Sequence, residues 1–180
     1  MIGNGIANLV RLALYEPYRG EEREARIRAA VAKEYDARCL ATTRPYPGIT
    51  ELLAGLRSRG IPLAVCSNKP DAFTARIVNA LFPAGTFAEL RGERPGVPKK
   101  PDPASALDIA AKLGIPPAHC VFVGDSGVDI ATGKAAGMAT LGVVWGYRDR
   151  MELSEADGLA ETPEAMPALL GWIGSGNIAP

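Results

Sequence analysis

Apolar positions along the chain follow two regimes. Through residue 42 they recur at helical spacing with no strand-like run. Leu9, Val10, Leu12, Ala13 and Leu14 mark one helix, and Glu21 to Leu40 mark another. The second opens on acidic residues and keeps a narrow apolar side, either Ile27, Val31 and Tyr35 or Ala30 and Leu40. Two such helices make a small lid over residues 1–42. Thr42 to Gly48 carries two prolines and a glycine and reads as the linker to a core over residues 43–180. From there helix and strand patterns alternate. A helix Ile49–Arg59 stops at Gly60, a strand runs Ile61–Cys66, and a helix follows over Asp71–Leu81. A short strand near Phe87–Leu90 precedes a loop from Gly92 to Pro98, then come a helix Ala104–Leu113 and a buried strand Cys120–Val123. A helix Ile130–Ala136, a strand Thr140–Val144 and a last helix Pro163–Ile173 complete the series. This alternation predicts an α/β fold, a parallel sheet with crossover helices on both faces.

Composition narrows the partners. Twenty basic and twenty acidic residues cancel, so no global field favours nucleic acid. No apolar run approaches the ~20 residues that span a bilayer, and the start lacks the basic-then-apolar order of a signal peptide. The cysteines Cys39, Cys66 and Cys120 form no C-x-x-C pair, and two of them fall at expected core strands. They read as reduced thiols in a cytoplasmic protein. His119 is the one histidine, which argues against a zinc site or a histidine acid–base pair.

Three strand ends carry chemistry. The strand ending Val121-Phe-Val-Gly-Asp125 is followed by Asp129, one helical turn on. In open α/β sheets the C-terminal strand edge is where ligands bind. Two carboxylates there, with few other donors, suit Mg²⁺ better than zinc; the alternative is that Asp129 caps a helix and Asp125 a turn. Pro62-Leu-Ala-Val-Cys66 runs into Ser67-Asn68-Lys69-Pro70, offering a hydroxyl, an amide and helix N–H groups to an anion. Ser67 or Asn68 could equally serve as an N-cap only. Before the helix at Ala104, Pro101 holds Lys100 extended, so its side chain can lie across the strand ends.

In this order and spacing the three segments resemble the second, third and fourth motifs of the haloacid dehalogenase superfamily, and phosphoglycolate phosphatase-like members in particular. Ile2-Gly-Asn-Gly5, Pro45-Tyr-Pro-Gly48, Ser67-Asn-Lys-Pro70, Lys100-Pro-Asp-Pro103, Gly124-Asp-Ser-x-x-Asp129, Ala135-Ala-Gly137 and Gly146-Tyr147 extend the resemblance over nearly the whole chain. It implies a Rossmann-like parallel sheet with a helical cap. Ser67 and Asn68 would serve the phosphoryl group, Lys100 would neutralise it, and Asp125 and Asp129 would hold Mg²⁺. Such a site works mainly by positioning and charge neutralisation. Gly3, Asn4 and Gly5 would either offer N–H groups to a substrate carboxylate or let the chain turn.

The first motif of that family, an Asp-x-Asp-Gly-Thr nucleophile at the tip of the central strand, is not in these 180 residues. None of the eight aspartates sits in such a segment, and Asp157-Gly158 lacks the second acid. Without that strand, two buried edges lose their partners at roughly 1–3 kcal/mol per dry, unpaired group. The expectation is therefore a core incomplete at its centre. A start codon assigned too late would explain this, as would a decayed enzyme or a fragment that pairs with another chain. The expected activity is Mg²⁺-dependent hydrolysis of a small phosphate monoester, phosphoglycolate-like, through an aspartyl-phosphate in the complete protein. A non-catalytic phosphate-binding protein is the rival reading. A dehalogenase or phosphonatase of the same superfamily fits Ser67, Lys100 and the paired acids less well.

Overall fold

The structure, a computed structural model, describes residues 6–15 and 20–174. Gly3, Asn4 and Gly5 lie outside the described residues. Helices α1 (Ile6–Ala13) and α2 (Glu21–Arg38) pack on one another, with Val10 buried on α1. On α2 the inward side is Ile27, Val31 and Tyr35, all half-buried, while Ala30 is exposed. None of the α2 residues is fully buried; its acidic first turn faces the favourable N-terminal end of the helix dipole.

Beyond the linker come α3 (Ile49–Ser58), β1 (Ala64–Pro70), α4 (Asp71–Leu81), β2 (Glu89–Glu93) and α5 (Ala104–Leu113). They are followed by β3 (Val121–Gly124), α6 (Gly127–Ala135), β4 (Ala139–Val143), β5 (Gly158–Ala160) and α7 (Met166–Gly174). All pairings are parallel, as the crossover pattern requires, but they form two sheets: β1 with β2, and β3, β4, β5 in that order. Among the described residues β1 and β3, which carry the expected site at their tips, each have a single bonded neighbour. In β3, the Cys120 carbonyl accepts from Ala139 N. Strand alternation then turns the backbone groups of Val121 and Val123 away from β4, toward the open edge. Val123 is 41% exposed, not buried as its apolar run suggests. Among the described residues no strand bonds to that side of β3.

Two apolar clusters tie the half-sheets together. On one face Leu52 and Leu56 of α3 pack with Leu141, Val143, Ala160 and Met166, and both Leu63 and Val121 join them. On the other, Ala106 and Ala110 of α5 pack with Ala136, Met138, Cys120 and Phe122. Val121 and Phe122 thus enter opposite clusters, the period-two alternation of a strand. Arg91 of β2 reaches α5 by donating to Asp108 at 2.8 Å, so α5 spans the two sheets.

Boundaries differ from the sequence reading where turn chemistry intervened. β1 begins at Ala64 and continues to Pro70, its pairing with β2 interrupted by an irregularity between Cys66 and Pro70. β2 runs to Glu93, taking in Gly92, where close packing leaves no room for a side chain. α6 starts at Gly127, so Asp129 lies inside its first turn instead of ahead of it. The last helix is a short 3-10 turn, Pro163–Ala165, before α7 proper. β5 was not predicted; three residues carry too little periodicity to register.

Candidate functional site

The site assembles at the C-terminal ends of β1 and β3. Asn68, 7% exposed, clamps the lysine segment onto β1. Its amide donates to Lys100 O at 3.0 Å, and its carbonyl accepts from Lys100 N at 2.9 Å. Lys99 meanwhile turns outward to an ion pair with Glu93 at 2.6 Å. Lys100 is left to reach between the strands. Its ammonium donates to the Cys66 carbonyl at 2.9 Å and to Asp129 Oδ1 at 2.6 Å, and lies 5.7 Å from the centre of the Phe122 ring. One cation therefore touches groups from both half-sheets, at the level where their strands end. Lys100 and Asp129 are nearly buried, so this charge-assisted contact is shielded from water and salt.

Ser67 follows Cys66, whose carbonyl holds the ammonium, along β1. Its Oγ accepts from Lys69 N at 3.1 Å, closing a small turn at the strand tip. That bond uses the oxygen as acceptor and leaves the hydroxyl proton available to an anion. The turn is fixed further by Thr74, whose hydroxyl donates to Lys69 O at 3.1 Å.

The two carboxylates have different surroundings. Asp129 accepts from Lys100 on one oxygen and from the Ser126 hydroxyl on the other, at 2.6 Å. It packs directly over Gly124, where an added Cβ would stand 2.1 Å from Asp129 Cβ. Asp125 lies against Gly146, whose missing side chain gives it space, since a Cβ there would meet Asp125 Oδ2 at 2.2 Å. Its Oδ2 accepts a long bond from Tyr147 N at 3.3 Å. Its other oxygen makes no bond among the described residues. The Tyr46 phenol is raised above its ordinary value, first by burial and then by Tyr147 and Asp125. The Cys66 thiol is also pushed up, mainly by burial, against a smaller opposing effect of Lys100. A thiol so placed is a poor nucleophile.

Sequence reasoning singled out Ser67, Asn68, Lys100, Asp125 and Asp129 as candidates, and the fold brings all five to one edge. It did not identify Ser126, the Cys66 carbonyl, Gly146 or Tyr147 N as their partners. Gly146 was legible only as part of a resemblance; the space it leaves for Asp125 depends on contacts twenty-one residues apart. Among the described residues no three carboxylate, histidine or cysteine side chains come together as a ready metal cage.

A haloacid dehalogenase-like hydrolase family profile matches residues 2–137, and the chain belongs to that family. Among curated relatives it is similar to the phosphoglycolate phosphatase of Neisseria meningitidis serogroup A, 38% identical over 160 residues, 87% of this chain and 68% of that one. It is also similar to phosphoglycolate phosphatase 1 of Pseudomonas aeruginosa, 34% identical over 159 residues, 86% of this chain but only 58% of the relative's length. A crystal structure of a predicted phosphoglycolate phosphatase from Haemophilus somnus 129PT superposes at a TM-score of 0.83 with 27% identity, covering 93% of this chain and 78% of that one. The α/β fold, the parallel pairing and the phosphoglycolate phosphatase-like character expected from the motifs stand. No described helix is long and apolar enough to cross a membrane.

Proposed function

We propose that this chain forms the phosphate-handling part of a Mg²⁺-dependent phosphomonoesterase acting on a small phosphoglycolate-like ester. The observation that carries the reading is the reach of Lys100 between the half-sheets, which sets one ammonium on the Cys66 carbonyl, directly before Ser67, and on Asp129. There the ammonium and the Ser67 hydroxyl bind the non-bridging phosphoryl oxygens, and Asn68 positions Lys100 for this through its backbone. Asp129 orients the same ammonium, a role that suits its two bonds better than metal ligation does. Asp125, with one oxygen unengaged among the described residues, fits a hard divalent cation as a direct ligand. Mg²⁺ there supplies charge neutralisation and orientation of the phosphoryl group.

The nucleophile is a carboxylate on a strand that fills the gap between β1 and β3. Its oxygen bonds to phosphorus as the ester P–O bond breaks, and the leaving alkoxide takes a proton from solvent; water then attacks phosphorus, returning the carboxylate and releasing phosphate. A cytoplasmic setting is consistent with three unpaired cysteines.

The open edges of β1 and β3 favour a second reading, in which the chain binds phosphate without turnover or is completed by another chain. One experiment separates the two. The chain joined to an apolar strand ending in Asp-x-Asp-Gly-Thr is assayed for phosphate release from 2-phosphoglycolate. Mg²⁺-dependent release that Asp125→Asn removes supports the enzyme. Full activity in the Asp125→Asn protein sinks the metal assignment, and a folded but inactive protein that still binds phosphate supports the second reading.

A further inference from the structure

Lys69 is the one charged side chain of the Ser67–Pro70 segment, and the phosphoryl site described above does not use it. Its backbone belongs to that site, since Lys69 N donates to Ser67 Oγ at 3.1 Å. Its side chain leaves in another direction and meets α2. The ammonium donates to the Tyr35 hydroxyl and lies 4.5 Å from the centre of the Tyr35 ring. Tyr35 is in turn held by Phe73 of α4, edge to face at 5.3 Å. Nearby, Asp36 of α2 pairs with Arg76 of α4.

The partners of this ammonium are chemically telling. A phenol oxygen and a ring face stabilise a cation without cancelling its charge. Among the described residues no carboxylate pairs with Lys69. The neighbouring carboxylate, Asp36, is taken by Arg76, as Glu93 is by Lys99 and Asp129 by Lys100. A half-buried ammonium with no counter-ion among the described residues thus lies between the tip of β1 and α2.

We propose that Lys69 is a specificity-determining residue that binds a second anionic group of the substrate, a carboxylate attached close to the phosphate ester, with the Tyr35 hydroxyl beside it. The proposal rests on the phosphomonoesterase reading, and it names the substrate class that the cap side of the site selects. Ser67 and Lys100 take the phosphoryl group; Lys69, two residues on and facing α2, takes the far end of a molecule only a few bonds long. An ester lacking the carboxylate leaves this cation uncompensated on closure of the site.

The test compares binding of 2-phosphoglycolate and of ethyl phosphate, of similar size without the carboxylate, to the full chain with Mg²⁺ by titration calorimetry. Inorganic phosphate reports the phosphoryl site alone. The wild-type chain is expected to prefer 2-phosphoglycolate, and Lys69→Met to collapse that preference by roughly 10- to 100-fold, the worth of a hydrogen bond to a charged group. Lys69→Arg should restore most of the preference, which a merely structural lysine would not require. A wild-type chain that binds the two esters equally overturns the proposal, as does a Lys69→Met chain whose preference is intact. Equal loss for all three ligands in Lys69→Met also overturns it, assigning Lys69 to the phosphoryl group. If wild type binds none of the three, the phosphatase reading itself fails and this assignment falls with it.

Discussion

Asn68 makes two hydrogen bonds to the backbone of Lys100 across thirty-two positions of sequence. Asn68→Ala leaves that backbone donor and acceptor without their partner, at a cost of about 1–3 kcal/mol. The measurement is the denaturation midpoint. Phosphate affinity should fall with it, because the Lys100 ammonium loses its fixed base. Asp129→Ala should do more harm than Asp129→Asn, since it removes both the charge facing Lys100 and the acceptor of the Ser126 hydroxyl. Breaking one side of a buried ion pair costs on the order of 3–5 kcal/mol. A stability loss below about 1 kcal/mol would show the pair to be far wetter than its burial suggests. These residues were legible in the sequence because their chemistry sits in short segments. What they bond to was not: the Cys66 carbonyl and Ser126 hydroxyl are ordinary groups whose role comes from where the chain returns.

At the scale of elements, two features outside the site decide how firmly it is held. Gly92 on β2 lies against the start of α4, where an added Cβ would stand 2.4 Å from Asp71 Cα and 2.6 Å from Lys69 O. Those are backbone atoms, and the Gly92 N–H donates to Asp71 Oδ1 at 2.7 Å. Gly92→Ala must therefore push α4 and the Ser67–Pro70 turn apart. The expected loss is about 1–3 kcal/mol or more, with weakened phosphate binding. The second feature is the bond from Arg91 of β2 to Asp108 of α5, which holds the Asp108 carboxyl below its ordinary value near 3.8. A depressed folded-state value means that this contribution is present above the unfolded value and is lost as pH falls through the folded one. Asp108→Asn should therefore lower stability at neutral pH by a small amount, because Asp108 is partly exposed, and flatten the acid limb of the stability curve. A pH titration of the melting temperature reads both. The helix and strand order was visible in the hydrophobic pattern, as was the stop of α5 at Gly114, which takes a φ of 66°. β5 and the extra length of β1 and β2 were not, since pairing with a neighbour, and no local preference, makes them extended.

For the molecule as a whole, the division into two half-sheets was foreseeable only through the resemblance. Hydrophobic periodicity reports which residues want burial, not which strand lies beside which. The exposure of Val123, read as core from its apolar run, follows from that division. Amide exchange can test it along a single strand. The Phe122 N–H points to β4 and should be protected, while those of Val121 and Val123 face the open edge and should exchange much faster. Uniform protection along β3 would mean that its outer edge is covered after all. Filling the gap with a strand should slow exchange at those two positions and raise the melting temperature.

The interruption also bears on how the chain comes apart. A continuous sheet transmits loss of order from strand to strand and melts as one unit. Among the described residues the two halves share no strand pairing and meet through α3 on one face, α5 on the other and Lys100 at the edge. Such a joint should let β1, β2 and α4 loosen while β3 to β5 stay ordered, giving a heat-capacity trace with two overlapping transitions. A strand placed in the gap would then act as a cooperativity switch, turning two independently melting parts into one.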